Sequence, residues 1–327
     1  VKVTILGHGA WGSALAIHLC QSHSTTLWGR DPDALENIQR ERENKLYLPG
    51  IPLPDNLILS THLNEALLSA KLVIIATPIA SLRSLLEAIH PLTQVPIIWA
   101  CKGFEPKTGY LAHQIGLEIL GVDYPCAVLS GPSFAQELAK GLPTAVTLAA
   151  KNIDLAQELM RELHHPRLRL YASEDIVGVE IAGAMKNIIA IAAGLSDGLQ
   201  LGHNARAALI TRGLAEISRL GVAMGGKSET FMGLSGLGDL VLTATGPLSR
   251  NYRVGKLLAE GQRLEAILKS LGHVAEGVGA ALEVMRLANQ YHIDLPISRM
   301  VEALLNEQIT PQQALLSLLN REPKRES

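Results

Sequence analysis

Lys186 and Asn187 interrupt residues 176–191, a stretch that is otherwise apolar nearly all round, which is the pattern of a central buried helix. Burying an isolated ammonium costs too much, so Lys186 must be paired, deprotonated or facing a wet cleft. Each outcome suits a group that exchanges a proton beside a carbonyl, and the plainer alternative is a structural ion pair with Glu180 or a remote acid. A second lysine, Lys102, follows the apolar run 97–101 and precedes Gly103-Phe104-Glu105. That is the carboxyl end of a strand, where ligands of open parallel sheets collect, although a lysine that merely closes a strand reads the same way.

Three further segments carry groups suited to an anion or a diol. In Ser130-Gly131-Pro132-Ser133-Phe134-Ala135-Gln136, Ser133 is expected to cap a helix, with Gln136 completing a capping box. The free amides of such a turn could hold a phosphate, and capping alone would explain Ser133 equally well. Gly236-Leu237-Gly238-Asp239 supplies an acid beside a flexible turn, and Gly246-Pro247-Leu248-Ser249-Arg250-Asn251 a helix-starting serine, a guanidinium and an amide. Arg250 and Asn251 are natural phosphate ligands; taken singly, each is also an ordinary loop or cap residue.

The elements that must hold these groups follow from the spacing of apolar runs. Short runs at 2–6, 25–28, 57–59, 72–76, 97–100, 127–129, 145–149 and 168–171 alternate with helical stretches, which is how a sheet covered on both faces reads. After Ser173 the strand signals stop and helices follow one another, punctuated at Gly202, Gly221, Gly246, Gly272 and Pro296. The expected architecture is a Rossmann-like α/β domain with a mostly parallel sheet over residues 1–173, followed by an all-α domain over residues 174–327. The first strand runs directly into Gly7-His8-Gly9-Ala10-Trp11-Gly12 and a helical stretch. Gly7 would turn tightly, Gly9 would let the backbone approach a pyrophosphate, and Gly12 would seat the helix, whose N-terminus faces the phosphates.

The second strand ends in Trp28-Gly29-Arg30-Asp31-Pro32, where an NAD site would place an acid on the ribose. Asp31 is better explained as an N-cap with Pro32 in the first helical position. Arg30 is then left at the ribose, where a guanidinium could pair with a 2′-phosphate. This tilts the expectation towards NADP over NAD, with a solvated surface arginine as the alternative.

In a chain of 327 residues, 47% hydrophobic residues leave ample material for two cores, and a net charge of −2 with mixed signs gives no field to gather nucleic acid or an anionic membrane. Cys20, Cys101 and Cys126 are odd in number and far apart, so neither disulfides nor a metal site is expected, and a reducing cytoplasm fits. The apolar start is too short for a signal-peptide core, and longer apolar stretches are broken by charge, Gly or Pro, so no stable membrane insertion is expected. The tail 321–327 reads as fraying.

Across its length the chain closely resembles the bacterial NAD(P)-dependent sn-glycerol-3-phosphate dehydrogenases. The resemblance rests on Gly7 to Gly12, Cys101-Lys102-Gly103-Phe104-Glu105, Ser130 to Ala135, Lys186-Asn187, Gly236 to Asp239, Ser249-Arg250-Asn251 and Ala275-Glu276-Gly277, in the family's order. It implies interconversion of dihydroxyacetone phosphate and sn-glycerol 3-phosphate for phospholipid synthesis, with Lys186, oriented by Asp239 or Asn187, as proton acceptor in alcohol oxidation and donor in ketone reduction, and with Lys102 and Asp239 beside it as catalytic residues. It implies that Lys102 touches both cofactor and substrate, and that Gly131, Ser133, Asp239, Ser249, Arg250 and Asn251 line the substrate. Ala10, Trp11, Arg30, Ala135, Arg250, Val274 and Glu276 would approach the dinucleotide, and Thr243 is a weaker candidate for the phosphate. His8 departs from the small residue associated with its position. A homodimer is also implied. Competing readings are a two-domain dehydrogenase of the hydroxyacid or phosphogluconate kind and a dinucleotide-sensing protein without chemistry.

Overall fold

The computed structural model describes residues 1–272 and 275–319; Val274 and the tail 321–327 lie outside the described residues. The chain divides into two compact units, Val1–Glu105 with Tyr110–Glu180, and Pro106–Gly109 with Ile181–Ser327.

Each apolar run of the first unit forms a strand: β1 (Lys2–Leu6), β2 (Ser24–Trp28), β3 (Ile58–Ser60), β4 (Leu72–Ile75), β5 (Ile97–Trp99), β6 (Cys126–Ser130), β7 (Thr144–Ala150) and β8 (Leu168–Ser173). They make one sheet in the order β3-β2-β1-β4-β5-β6-β7-β8, parallel throughout except for the antiparallel pair β6 and β7. Alternation of side chains across the pleat explains why the runs read as continuously apolar. Val3, Ile5, Ile74 and Ile98 face one core with Leu15 and Leu19 of the helix Ala10–Leu19, whereas Leu6, Val73, Ile75, Ile97 and Trp99 face a second with Leu82, Leu86 and Ile115. Strand order reverses beside β1, between β2 and β4, and the crevice at such a switch point is where open α/β sheets bind ligands.

Glu180, weighed above as a partner for Lys186, belongs to this unit and is engaged elsewhere. Its buried carboxylate accepts hydrogen bonds from Trp99 Nε1 at 2.7 Å and from the backbone N–H of His113 at 3.1 Å, and it contacts His113 Nδ1 at 2.6 Å. Burial opposes protonation of His113, but the charge and hydrogen bond of Glu180 outweigh it and hold the imidazole pKa above its ordinary 6.5.

Among the described residues after β8 there are helices and no strand. The helix Ile176–Gly198 is long and apolar enough to cross a membrane by composition, yet its most apolar stretch is 94% buried inside the protein. It is the core helix around which the second unit packs. The helix Arg250–Ala259 crosses it closely: a Cβ at Gly255 would run into the carbonyl of Ile191, and one at Gly194 into that of Tyr252. Of the expected punctuation, Gly246 and Gly272 follow the ends of Asp239–Thr245 and Leu264–Leu271, Gly202 opens Gly202–Ala223, and Pro296 opens Pro296–Leu305. Gly221 does not end a helix. It lies inside Gly202–Ala223 because the Phe231 ring packs where its side chain would be.

Gly255→Ala is expected to destabilise the second unit by about 1–3 kcal/mol through overpacking against backbone, seen as a lower denaturant midpoint. His113→Leu should cost about 1–2 kcal/mol where the imidazole is charged. The raised folded pKa makes that contribution fully present below pH 6.5 and lost as pH rises through the folded value. The gap in stability between variant and wild type should therefore shrink on going alkaline, and a pH-independent gap in equilibrium unfolding would refute the ion pair.

Candidate functional site

In the first unit, β1 delivers the chain to Gly7, whose φ of 118° only glycine adopts without strain. A Cβ there would also come within 2.8 Å of the Ala76 carbonyl at the end of β4. Gly9 is the N-cap of Ala10–Leu19 and a Cβ on it would meet nothing within 4 Å, whereas one on Gly12 would strike the Gly7 carbonyl. The three glycines thus divide into one for the turn, one beside open space and one for packing. Open space at Gly9, in front of a helix N-terminus, fits a pyrophosphate approaching the backbone. Ala10 and Trp11 begin the helix and are partly exposed.

At the end of β2, Asp31 caps Pro32–Glu41, accepting from the Ala34 N–H at 3.1 Å, with Pro32 in its first turn. Arg30 is exposed beside it and makes no hydrogen bond or ion pair with any described residue. The His8 imidazole packs where a Gly29 side chain would stand and edge-on to Tyr47 at 5.8 Å. Burial lowers its pKa, partly offset by Asp31.

Lys102, Gly131 and Ser133 meet at the carboxyl ends of β5 and β6. Lys102 Nζ donates to the Gly131 carbonyl at 3.4 Å, and Ser133 Oγ donates to the same oxygen at 2.8 Å. The capping box expected for Ser133 does not form. Its hydroxyl turns back to Gly131, and the short helix Ala135–Ala139 starts after Phe134 instead. Ala135 is the first residue of that helix and is partly exposed.

In the second unit, Lys186 is 6% exposed and its Nζ is bonded to Asp239, which is 1% exposed. A buried ammonium thus has a buried carboxylate. Asp239 enters from the π-helical turn Leu234–Gly238 and begins Asp239–Thr245; π-turns are often found at functional sites. Thr243 donates its hydroxyl to the Asp239 carbonyl at 2.6 Å. Asn187, beside Lys186, donates to Glu276 at 3.3 Å, and Asn251 accepts from the Gly277 N–H at 3.0 Å. The Asn187 carbonyl lies only 2.8 Å from where a Gly277 side chain would start. Ser249 caps Arg250–Ala259 through the Tyr252 N–H at 3.2 Å, as its place before the helix suggests. Arg250 is exposed at the first helical position, with no partner among the described residues.

Sequence reasoning thus named the Lys186 and Asp239 groups, and the structure pairs them. It missed the π-turn, which has no distinctive residue pattern beyond its glycines. It also missed Asn44, which stands in a segment without regular periodicity. Asn44 is 1% exposed and donates to the His8 carbonyl at 2.7 Å.

Two family models match the chain: the NAD-dependent glycerol-3-phosphate dehydrogenase N-terminus over residues 2–156 and its C-terminus over residues 175–316. The glycerol-3-phosphate dehydrogenase [NAD(P)+] of Thiobacillus denitrificans is 55% identical over 327 residues, covering 100% of both chains. That of Dechloromonas aromatica is 51% identical over 100% of this chain and 99% of its own. The crystal structure of glycerol-3-phosphate dehydrogenase from Coxiella burnetii superposes with a TM-score of 0.94 at 42% identity, over 98% of this chain and 99% of that one. A probable 2-dehydropantoate 2-reductase from Bacillus subtilis shares the fold alone, at 16% identity and a TM-score of 0.57 over 94% of this chain and 100% of that one.

Proposed function

This chain belongs to the NAD-dependent glycerol-3-phosphate dehydrogenase family, and from that premise we propose that it is an oxidoreductase interconverting dihydroxyacetone phosphate and sn-glycerol 3-phosphate. The observation that carries the reading is the buried pair of Lys186 and Asp239, a proton-exchanging amine in a chain that the family matches nearly end to end.

A dinucleotide held by the groups named below, NADP or NAD, would supply or accept the hydride at the carbinol carbon. Lys186 donates a proton to the substrate oxygen as the ketone becomes an alcohol, and takes it back in the reverse direction. Asp239 compensates the amine and orients it; the Thr243 hydroxyl, bonded to the Asp239 backbone carbonyl, stands 3.4 Å from its carboxylate. Ser249, Arg250 and Asn251 hold the substrate phosphate, so that binding energy remote from the reacting carbon fixes its position. Gly131, Ser133 and Lys102 are the substrate groups of the first unit. Gly7, Gly9, Ala10, Trp11, Gly12, Arg30, Lys102 and Ala135 serve the dinucleotide there, and Arg250, Val274 and Glu276 do so in the second unit. The free guanidinium of Arg30 favours a 2′-phosphate. We place the enzyme in the cytoplasm as a homodimer feeding glycerophospholipid synthesis, with residues 1–173 and 174–327 as its cofactor and substrate domains.

The direct test follows nicotinamide absorbance with dihydroxyacetone phosphate, once with NADH and once with NADPH. Wild type should oxidise at least one of them, and no oxidation of either would sink the assignment. Lys186→Ala should bind cofactor as wild type does and lose about 10²- to 10⁴-fold in kcat; near-normal turnover would remove Lys186 from the proton step. Arg250→Ala should raise KM for dihydroxyacetone phosphate by roughly 10- to 100-fold, and an unchanged KM would exclude a phosphate contact.

A further inference from the structure

We propose that Asn44 is a positioning residue for the dinucleotide: it sets the His8-Gly9 peptide so that the Gly9 N–H, rather than the His8 carbonyl, faces the pyrophosphate. The proposal rests on reading the glycine turn as the dinucleotide site. Asn44 lies outside that turn, after the helix Pro32–Glu41, and is buried. Its Nδ2 donates to the His8 carbonyl at 2.7 Å and to Ser13 Oγ at 2.9 Å, and Ser13 Oγ donates to the same carbonyl at 3.2 Å. Two side chains therefore converge on one backbone oxygen.

In a trans peptide the carbonyl and the following N–H point in opposite directions. Pulling the His8 oxygen towards Asn44 and Ser13 turns the Gly9 N–H the other way. The pull is needed because of what the site demands of its glycines. Gly9 must lack a side chain for a ligand to approach, so one of the two torsions about the His8-Gly9 peptide, the Gly9 φ, has the wide freedom of glycine. Left alone, that peptide could flip and present a carbonyl oxygen to an anion.

Asn44 is itself firmly held. Its Oδ1 accepts from the Tyr47 N–H at 3.3 Å and its carbonyl from the Leu48 N–H at 2.7 Å. Nearby Leu48, Ile51 and Leu53 are buried in the core that also takes Val3, Ile5 and Leu15. The segment after Pro32–Glu41 thus passes the rigidity of the core to a turn that has little of its own.

The test is direct binding of NADPH, NADH, ADP-ribose and 2′-AMP to wild type, Asn44→Ala and Ser13→Ala, followed by fluorescence or calorimetry, with circular dichroism to establish folding. Asn44→Ala should weaken the three pyrophosphate-bearing ligands about tenfold and 2′-AMP, which has no pyrophosphate, less than about twofold. KM for cofactor should rise in parallel while kcat stays within about twofold. Ser13→Ala, which removes the longer of the two bonds, should weaken the same three ligands about two- to threefold, and it carries the test if Asn44→Ala does not fold. Unchanged affinity for ADP-ribose in a folded variant, or equal weakening of 2′-AMP, overturns the proposal alone. Wild type that binds none of the four overturns the dinucleotide reading and the proposal with it.

Discussion

An ammonium inside an apolar helix bundle persists only beside a compensating carboxylate, and much of the second unit can be understood as the means of bringing one to Lys186. The amine rises from the middle of Ile176–Gly198, a largely apolar helix whose residues are mostly buried. Its counter-charge does not come from the same helix, where Glu180 is engaged by Trp99 and His113, and Asp197 by Arg206 and Tyr252. It comes from Asp239, at the end of a π-turn that widens the backbone locally and leads straight into the next helix. Close helix crossings at Gly194 and Gly255 then set the start of Arg250–Ala259, where Ser249, Arg250 and Asn251 stand. Removing either charge would take from the other, which is buried, the opposite charge it is bonded to.

The first unit faces the opposite difficulty. Its site needs exposed amides and absent side chains, which weaken local order, so rigidity must come from further away. The glycine turn is held by β4 on one side, where Gly7 packs against Ala76, and by Asn44 and Ser13 on the His8 carbonyl. Lys102 and Ser133 share the Gly131 carbonyl in a similar way, two donors converging on one backbone oxygen beside a glycine of φ 139°. In both places side chains fix a peptide that glycine has loosened.

The central strands β1, β4 and β5 were legible because strands buried on both faces read as continuous apolar runs, whereas the edge strand β8 shows instead as an alternation of buried and exposed residues. The direction of β7 was not legible, since pairing direction depends on how the chain returns after Gly131 and not on the strand's own residues. The N-caps at Asp31 and Ser249 were readable because a cap satisfies amides two or three residues away. Ser133 looks identical in sequence and behaves otherwise, its hydroxyl drawn to a carbonyl set by the tertiary fold. Gly221 was read as a stop for the same reason: a glycine required by a neighbouring ring has no local signature. Lys186 could be identified as anomalous from its neighbours alone. Choosing among Glu180, Asp239 and others required knowing which carboxylates were already spent.

That last distinction separates function from architecture in this chain. Glu216 is as buried as Asp239, at 1% exposure, and its burial raises its pKa against the hydrogen bonds it accepts. Those come from the Ile297 and Ser298 N–H groups at 2.6 and 3.0 Å and from the Ser298 hydroxyl at 2.8 Å. It therefore satisfies the open amides at the start of Pro296–Leu305, donors that do not give up their protons, so its role is complete once the helix is docked. Glu180 holds an indole, a backbone amide and an imidazole, and ties β5 to the start of Ile176–Gly198. Asp239 faces an alkyl ammonium, a group that can pass a proton to an oxygen and recover it. Burial and hydrogen bonding are common to all three acids; the exchangeable amine opposite Asp239 is what sets that pair apart, and it is the ground on which the proposed function makes it a reaction centre rather than a brace.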